Sequence, residues 1–193
     1  MLYFPLIDDM SIFDMTPIKP CTEYPWEMTS YMPYLLTRMA YINGTGAVFD
    51  FTSFEDHPYV EESSDDLGND TLVAATFDFF PSVSDSCLTV AANSKDKCFL
   101  YIDGKKVSDL PCTRVTGEDE RGGYWGVRVT VPSAVIDKLY GCSALSDGCI
   151  VKGNVFKAKR SNPGRHFGCM APAGKDNWYL DRDCLSDFKV TSV

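Results

Sequence analysis

Apolar residues in this chain recur with the two-residue period of strands rather than the 3.6-residue period of helices. The runs AVFDFTSF (47–54), TLVAATFDFF (71–80), SCLTVAAN (86–93), CFLYIDG (98–104), YWGVRVTVP (124–132) and IVKGNVFKAK (150–159) are short and rich in β-branched and aromatic residues. Clusters of Gly, Asn and Asp at 42–46, 64–70, 102–106 and 118–123 separate them and predict chain reversals. One helical turn is predicted in PSAVIDKLYG, with Pro132 in its first turn and Gly141 at its end. Together these signals predict an all-β fold, an antiparallel β-sandwich of jelly-roll or immunoglobulin-like type with at most short helices. The first 30 residues carry Pro5, Pro17, Pro20 and Pro25 and read as an extended strap over that sandwich.

Strand parity assigns faces. In YWGVRVTVP, Trp125, Val127, Val129 and Val131 share one side, so Trp125 belongs to the core, while Tyr124, Gly126, Arg128 and Thr130 share the other. In the next run Val151, Gly153, Val155 and Lys157 oppose Lys152, Asn154, Phe156 and Ala158. Arg128 and Asn154 are therefore candidates for a shared solvent-facing sheet surface, either as donors to a polar ligand or as ordinary cross-strand partners.

Composition narrows the classes. A chain of 193 residues with 45% hydrophobic content is most simply one domain, residues 1–193, with a real core. A formal net charge of −9 disfavours phosphate backbones, so nucleic acid is not expected as a partner. No run of about 20 apolar residues predicts a membrane span, and no membrane partner is expected. The amino terminus carries Asp8, Asp9 and Asp14 before any basic residue, unlike a signal peptide, which predicts cytoplasmic residence, or export if a leader has been removed. Eight cysteines contain no C-x-x-C pair, and they read as buried thiols rather than as a disulfide framework or a zinc site.

The stretch from 151 to 183 carries a more specific signal. Lys152, Gly153, Asn154, Phe156 and Lys157 are followed by His166, Phe167, Gly168 and Pro172. This resembles the K-G-N-x-Y/F-K strand and H-F/Y-G/L-x-W-x-P segment of the family 9-like carbohydrate-binding domains. YWGVRVTVPSAVI resembles that family's W-x-V-x-x-x-I/V-P strand, and SYMP (30–33) matches more loosely. The chain departs from the family pattern where Met170 replaces a tryptophan, where Arg128 and Ala74 replace glutamates, and around Leu180, where the family histidine is missing. The resemblance implies a carbohydrate-binding-module β-sandwich and a non-catalytic role in recognising a sugar or oligosaccharide during polysaccharide breakdown; no cofactor is expected, the structural calcium that related domains often carry being the one alternative.

Sugar recognition needs flat aromatic surface for the ring and planar polar groups for the hydroxyls. Trp26, Tyr31, Tyr34, Trp178 and Tyr179 are the aromatics in polar, loop-like company, and Arg165, His166, Asn162 and Asn177 supply partners. The candidate site is therefore the 161–179 loop with Trp178 or Tyr179 as stacking platform, Arg128, Asn154, Arg165 and His166 as polar contacts, and Trp26 as a second platform; each aromatic has the alternative of anchoring a loop. Asp65, Asp66, Asn69 and Asp70 are oxygen donors for calcium without EF-hand spacing, or a solvated turn. His57, in FEDHPYVEE, reads as part of a solvated acidic loop. Two other readings stay open: an enzyme acting on a glycan through a carboxylate pair defined only in space, and a structural or interaction sandwich that has lost its sugar site.

Overall fold

The computed structural model describes residues 1–26, 32–55, 57–61, 67, 69–95 and 97–193. Its strands are β1 (Leu2–Ile7), β2 (Lys19–Pro20), β3 (Tyr34–Ile42), β4 (Gly46–Phe54), β5 (Leu72–Asp78), β6 (Leu88–Asn93) and β7 (Cys98–Ile102). These are followed by β8 (Lys105–Asp109), β9 (Cys112–Asp119), β10 (Gly122–Pro132), β11 (Ile150–Lys159), β12 (His166–Cys169) and β13 (Ser186–Ser192). They form one curled sheet in the order β8-β7-β6-β5-β11-β13-β1-β3-β4-β10-β9, with β12 added to β11 and β2 to β3. All pairings are antiparallel except those of β1, which lies parallel to both β13 and β3. The curl folds β8 through β13 over β1 through β9 as the two layers of a sandwich.

Every strand predicted from periodicity is present, and so is the helix, α1 (Ser133–Tyr140), which follows Pro132 and ends at Gly141 in the left-handed conformation (φ 72°). Two of the strands that periodicity does not announce, β8 and β9, have a physical reason. β8 and β9 sit at the two ends of the sheet order and are largely exposed, with KKVSD and CTRVTGED showing no apolar alternation. Edge strands made of charged residues resist further pairing, which is why they look like loops in sequence. The expected strap is divided in two. Residues 2–7 enter the sheet between β13 and β3, and a 3-10 turn (Met10–Met15) lies on the outer face of β3 and β4. There Phe13 covers Ala40, Ile42 and Val48, and Arg128 holds the turn down through Asp14 at 2.6 Å.

The main core lies between the layers. Phe49 of β4 meets Phe77 of β5 at 5.5 Å between ring centroids, with Phe4 at 5.0 Å from Phe77 and Trp125, Val127, Val129 and Val131 beside them. Phe77 also lies flat over its cross-strand neighbour Gly153, where a Cβ would stand 2.2 Å from the ring. A glycine is needed there because the aromatic ring occupies the space of a side chain. A second core sits on the outer face of β5, β6, β7 and β11. The chain from 160 to 185 crosses that face and buries Phe167, Trp178, Tyr179 and Cys184 against Leu72, Ala74, Phe99, Phe156 and Ala158.

One ion pair lies within the main core. Lys157, whose neighbours two residues apart point between the layers, meets Glu55 at 2.8 Å, and the two side chains are 0% and 3% exposed. Trp125 Nε1 and Thr71 Oγ1 each donate to the same carboxylate at 3.4 Å. Burial lowers the Lys157 pKa, and Glu55 opposes that shift. His166 is also enclosed, with Nδ1 2.7 Å from the Gly164 carbonyl oxygen. Burial, reinforced by the charge of Lys157, pushes it down to about 3. The cysteines are free thiols in the structure, and burial pushes those of Cys98, Cys169 and Cys184 up to about 12, so they are not nucleophilic thiolates at neutral pH.

These features predict two stability effects. Glu55→Ala strands a buried ammonium and is expected to cost about 3–5 kcal/mol, whereas Glu55→Leu combined with Lys157→Met recovers most of that loss. Urea unfolding of both variants checks this, and a double variant no more stable than the single one contradicts it. For His166 the unfolded state takes up a proton below about pH 6.5, and the native state does so only near pH 3. Stability therefore falls as pH drops through that window, by up to about 1.4 kcal/mol per pH unit from this residue. His166→Phe is expected to show a shallower loss between pH 6.5 and 4.5 than the parent, whatever its stability at neutral pH.

Candidate functional site

A cleft of about 470 Å³ opens where β4 and β11 end and β10 begins. Its walls are Phe54, Glu55, His57, Tyr59, Thr71, Arg121, Gly123, Lys159, Pro163 and Gly164. Strand parity builds it: Phe54 is the last outward residue of β4, Glu55 turns inward to Lys157, and Lys159 is the next inward position on β11 after Lys157. Tyr59 is fixed by backbone pairing with Thr71, whose N–H donates to the Tyr59 carbonyl at 2.8 Å, while the Tyr59 N–H donates to Thr71 Oγ1 at 3.1 Å. Tyr59 is 46% exposed, and Lys159 Nζ stands 4.6 Å from its ring centroid while also donating to the Pro163 carbonyl. Arg121 lies 4.1 Å over Phe54 and makes an ion pair with Asp119 at 2.8 Å. Glu55 also borders a second cavity of about 380 Å³, lined by Pro58, Ser94, Lys95, Thr116, Gly117, Gly123, Tyr124 and Trp125.

The residues singled out from sequence are placed differently. Trp178 is 8% exposed and stacks on Trp26 and Phe167, each at 5.6 Å, with Arg160 at 4.5 Å from its centroid. Tyr179 is 1% exposed. These rings clamp the 160–185 segment onto the outer face of the sheet and do not offer a free platform. Asn154 is fully buried: its Nδ2 donates to the carbonyls of Ala171 (3.0 Å) and Cys184 (2.7 Å), and its Oδ1 accepts from the Ala171 N–H (2.9 Å). It clasps the loop instead of facing a ligand. Arg128 lies in the other layer, bonded to Asp50 and Asp14 at 2.6 Å each, so it shares no face with Asn154.

His166 is enclosed beneath the same segment, and Arg165 lies 4.2 Å over the half-buried Trp26. The 161–179 loop still reaches the cleft, through Pro163 and Gly164. Tyr31, Asp65 and Asp66 lie outside the described residues. Asp70 is buried, accepting from the Glu61 N–H at 2.7 Å and Asn93 Nδ2 at 2.8 Å. Among the described residues no group of His, Cys, Asp and Glu is arranged to hold a metal ion. Sequence reasoning passed over the cleft itself, whose signal is the dense F-E-D-H-P-Y run at 54–59, two aromatics and a histidine within six residues.

No protein-family model matches the chain, and no curated protein matches it in sequence. Solved structures do match over nearly the whole length. A protein from Bacteroides uniformis ATCC 8492, provisionally assigned as carbohydrate-binding, superposes with a TM-score of 0.73 at 16% identity, covering 98% of each chain. A family 9 carbohydrate-binding module from Caldicellulosiruptor kristjanssonii, in complex with cellotriose, gives 0.64 at 10% identity over 99% of this chain and 94% of that one. A family 9 module from the same organism in complex with glucose gives 0.59 at 12% identity over 100% and 95%. At these identities the likeness is one of architecture: this chain has the fold of the family 9 carbohydrate-binding modules.

Proposed function

We propose that this protein is a non-catalytic carbohydrate-binding module whose ligand occupies the cleft between Tyr59, Phe54, Arg121 and Lys159, serving to hold an enzyme or cell surface on a polysaccharide during its breakdown. The observation that carries the reading is the cleft's chemistry. Two aromatic rings stand beside a guanidinium, an ammonium and an imidazole at one end of the sandwich, which supplies both the apolar and the hydrogen-bonding halves of sugar recognition. The volume suits one or two sugar rings. The sugar complexes of the two structurally similar modules support the same reading. Glu55, the carboxylate lining the cleft among the described residues, is tied to Lys157, an arrangement suited to holding the site in shape rather than to passing protons.

Stacking plus a few hydroxyl contacts on an open cleft is expected to give a Kd on the order of micromolar to millimolar, since each exchanged hydrogen bond nets about 1 kcal/mol. Calorimetry against neutral and acidic mono- and oligosaccharides should find such a ligand. Tyr59→Ala is then expected to weaken it by at least about tenfold, one ring contact being worth about 1 kcal/mol and its fixed neighbours being lost with it. The melting temperature should hardly change, because the ring is half exposed. Binding that is indifferent to Tyr59→Ala places the site elsewhere, and a panel with no binder at all removes the proposed function.

A further inference from the structure

Beyond the cleft, the outer face of β3, β4, β10 and β9 carries a cross-strand row of aromatic rings. Tyr34 of β3 is registered with Phe54 of β4, Phe54 with Tyr124 of β10, and Tyr124 with Gly117 of β9. Centroid distances are 6.0 Å from Tyr34 to Phe54 and 5.8 Å from Phe54 to Tyr124. Tyr124 lies down over Gly117, where a Cβ would come within 2.5 Å of its hydroxyl. The adjoining row, Leu36, Thr52, Gly126 and Val115, is low as well, and Gly126 again leaves room that a Cβ would fill against Val115 at 2.8 Å. The result is a shallow shelf running across the strands, edged by Tyr34 at 40% and Val115 at 53% exposure.

This shelf is unlike the other end of the same sheet face, which the Met10–Met15 turn covers. It is continuous with the cleft, because Phe54 and Arg121 belong to both, and Tyr124 and Gly117 also line the neighbouring cavity. Polar groups flank the rings: the Asp119–Arg121 pair, with two guanidinium nitrogens on one carboxylate at 2.8 and 3.3 Å, offers donors and acceptors side by side. Rings on neighbouring strands, tilted 39° and 50° to one another, offer a linear ligand apolar contacts at successive steps. Charge selects against an anionic ligand, since Asp119 stands at the edge of the shelf and the chain carries a net charge of −9.

We infer that this shelf is an extension subsite, on which the further residues of a neutral oligosaccharide lie when its terminal sugar is seated in the cleft. The inference rests on the proposed reading of the cleft and adds that the natural ligand is a chain and not a single sugar. Affinity then grows with chain length, and the growth belongs to Tyr34 and Tyr124, since Arg121 lies over the ring of Phe54 between them.

The test is calorimetry on the parent, Tyr34→Ala, Tyr34→Phe and Tyr124→Ala, using monosaccharides and oligomers of two to six residues in the gluco, xylo and manno series, with oligogalacturonates as the charged counterpart. The parent is expected to bind the longest neutral oligomer of its preferred series roughly fivefold to tenfold tighter than the monosaccharide, as one or two added ring contacts would give. Tyr34→Ala and Tyr124→Ala lose that gain while keeping monosaccharide affinity, and Tyr34→Phe retains it. A gain that survives in both alanine variants overturns the extension, as does tighter binding of oligogalacturonates. Monosaccharide binding with no gain in length overturns the extension but leaves the cleft reading intact, and absence of all binding removes both. Sedimentation in which the parent is a dimer and Tyr34→Ala a monomer also overturns it, by assigning the shelf to a second copy of the chain.

Discussion

The contact between Lys157 and Glu55 is the constraint around which one end of this sandwich is arranged. An ammonium with no exposed surface is tolerable only when a carboxylate stands against it and the carboxylate's other positions are filled. Trp125 and Thr71 fill them, from β10 and from the residue before β5. Four separate stretches of chain are thereby drawn to one point: the end of β4, the first part of β10 at Trp125, the start of β5 and the end of β11. The cleft is the space left just outside that point. Its walls Phe54, Thr71 and Lys159 are all within two residues of, or identical with, members of the network.

The K-G-N-x-F-K strand gains a physical account from this. Gly153 makes way for Phe77, Asn154 clasps the returning segment, Phe156 packs beneath Phe167 at 5.5 Å, and Lys157 enters the core to meet Glu55. Apart from Lys152, which is exposed and paired with Asp187 at 3.2 Å, these positions are spent on holding layers and loops together, so the pattern is a signature of architecture. Departures from the family pattern fit the same logic. Ala74 is fully buried in the second core, where a glutamate would need a partner, and Met170 is packed into the main core with its N–H on the Val155 carbonyl at 2.9 Å.

The legible part of the sequence was the part with strong alternation. The face assignment of Trp125, Val127, Val129 and Val131 is the one found in the core, and the strands from β4 to β7 and β10 to β11 lie where periodicity puts them. The site was harder to read because parity says which side a residue is on and not whether that side is covered. Asn154 does lie opposite the main core, but the 160–185 segment crosses over it, so a position expected to be solvated is buried. Trp178 and Tyr179 sit among polar residues in sequence, yet they are the anchors of that crossing. The cleft residues come from four distant stretches, and no local pattern announces their convergence. His57 and Tyr59 are exposed, as members of a solvated acidic loop should be, and nothing in the sequence places Lys159 beside Tyr59.

The two ends of the curled sheet have a consequence for how many copies of the molecule can share a surface. β8 presents Lys105, Lys106 and Asp109, and β9 presents Arg114, Glu118 and Asp119, so each open edge carries both signs of charge on short, exposed strands. Edge-to-edge addition would strip the water from these charged side chains in exchange for backbone bonds alone. Copies held at high local density therefore gain little from these two edges and are kept from zipping into a continuous β-layer through them.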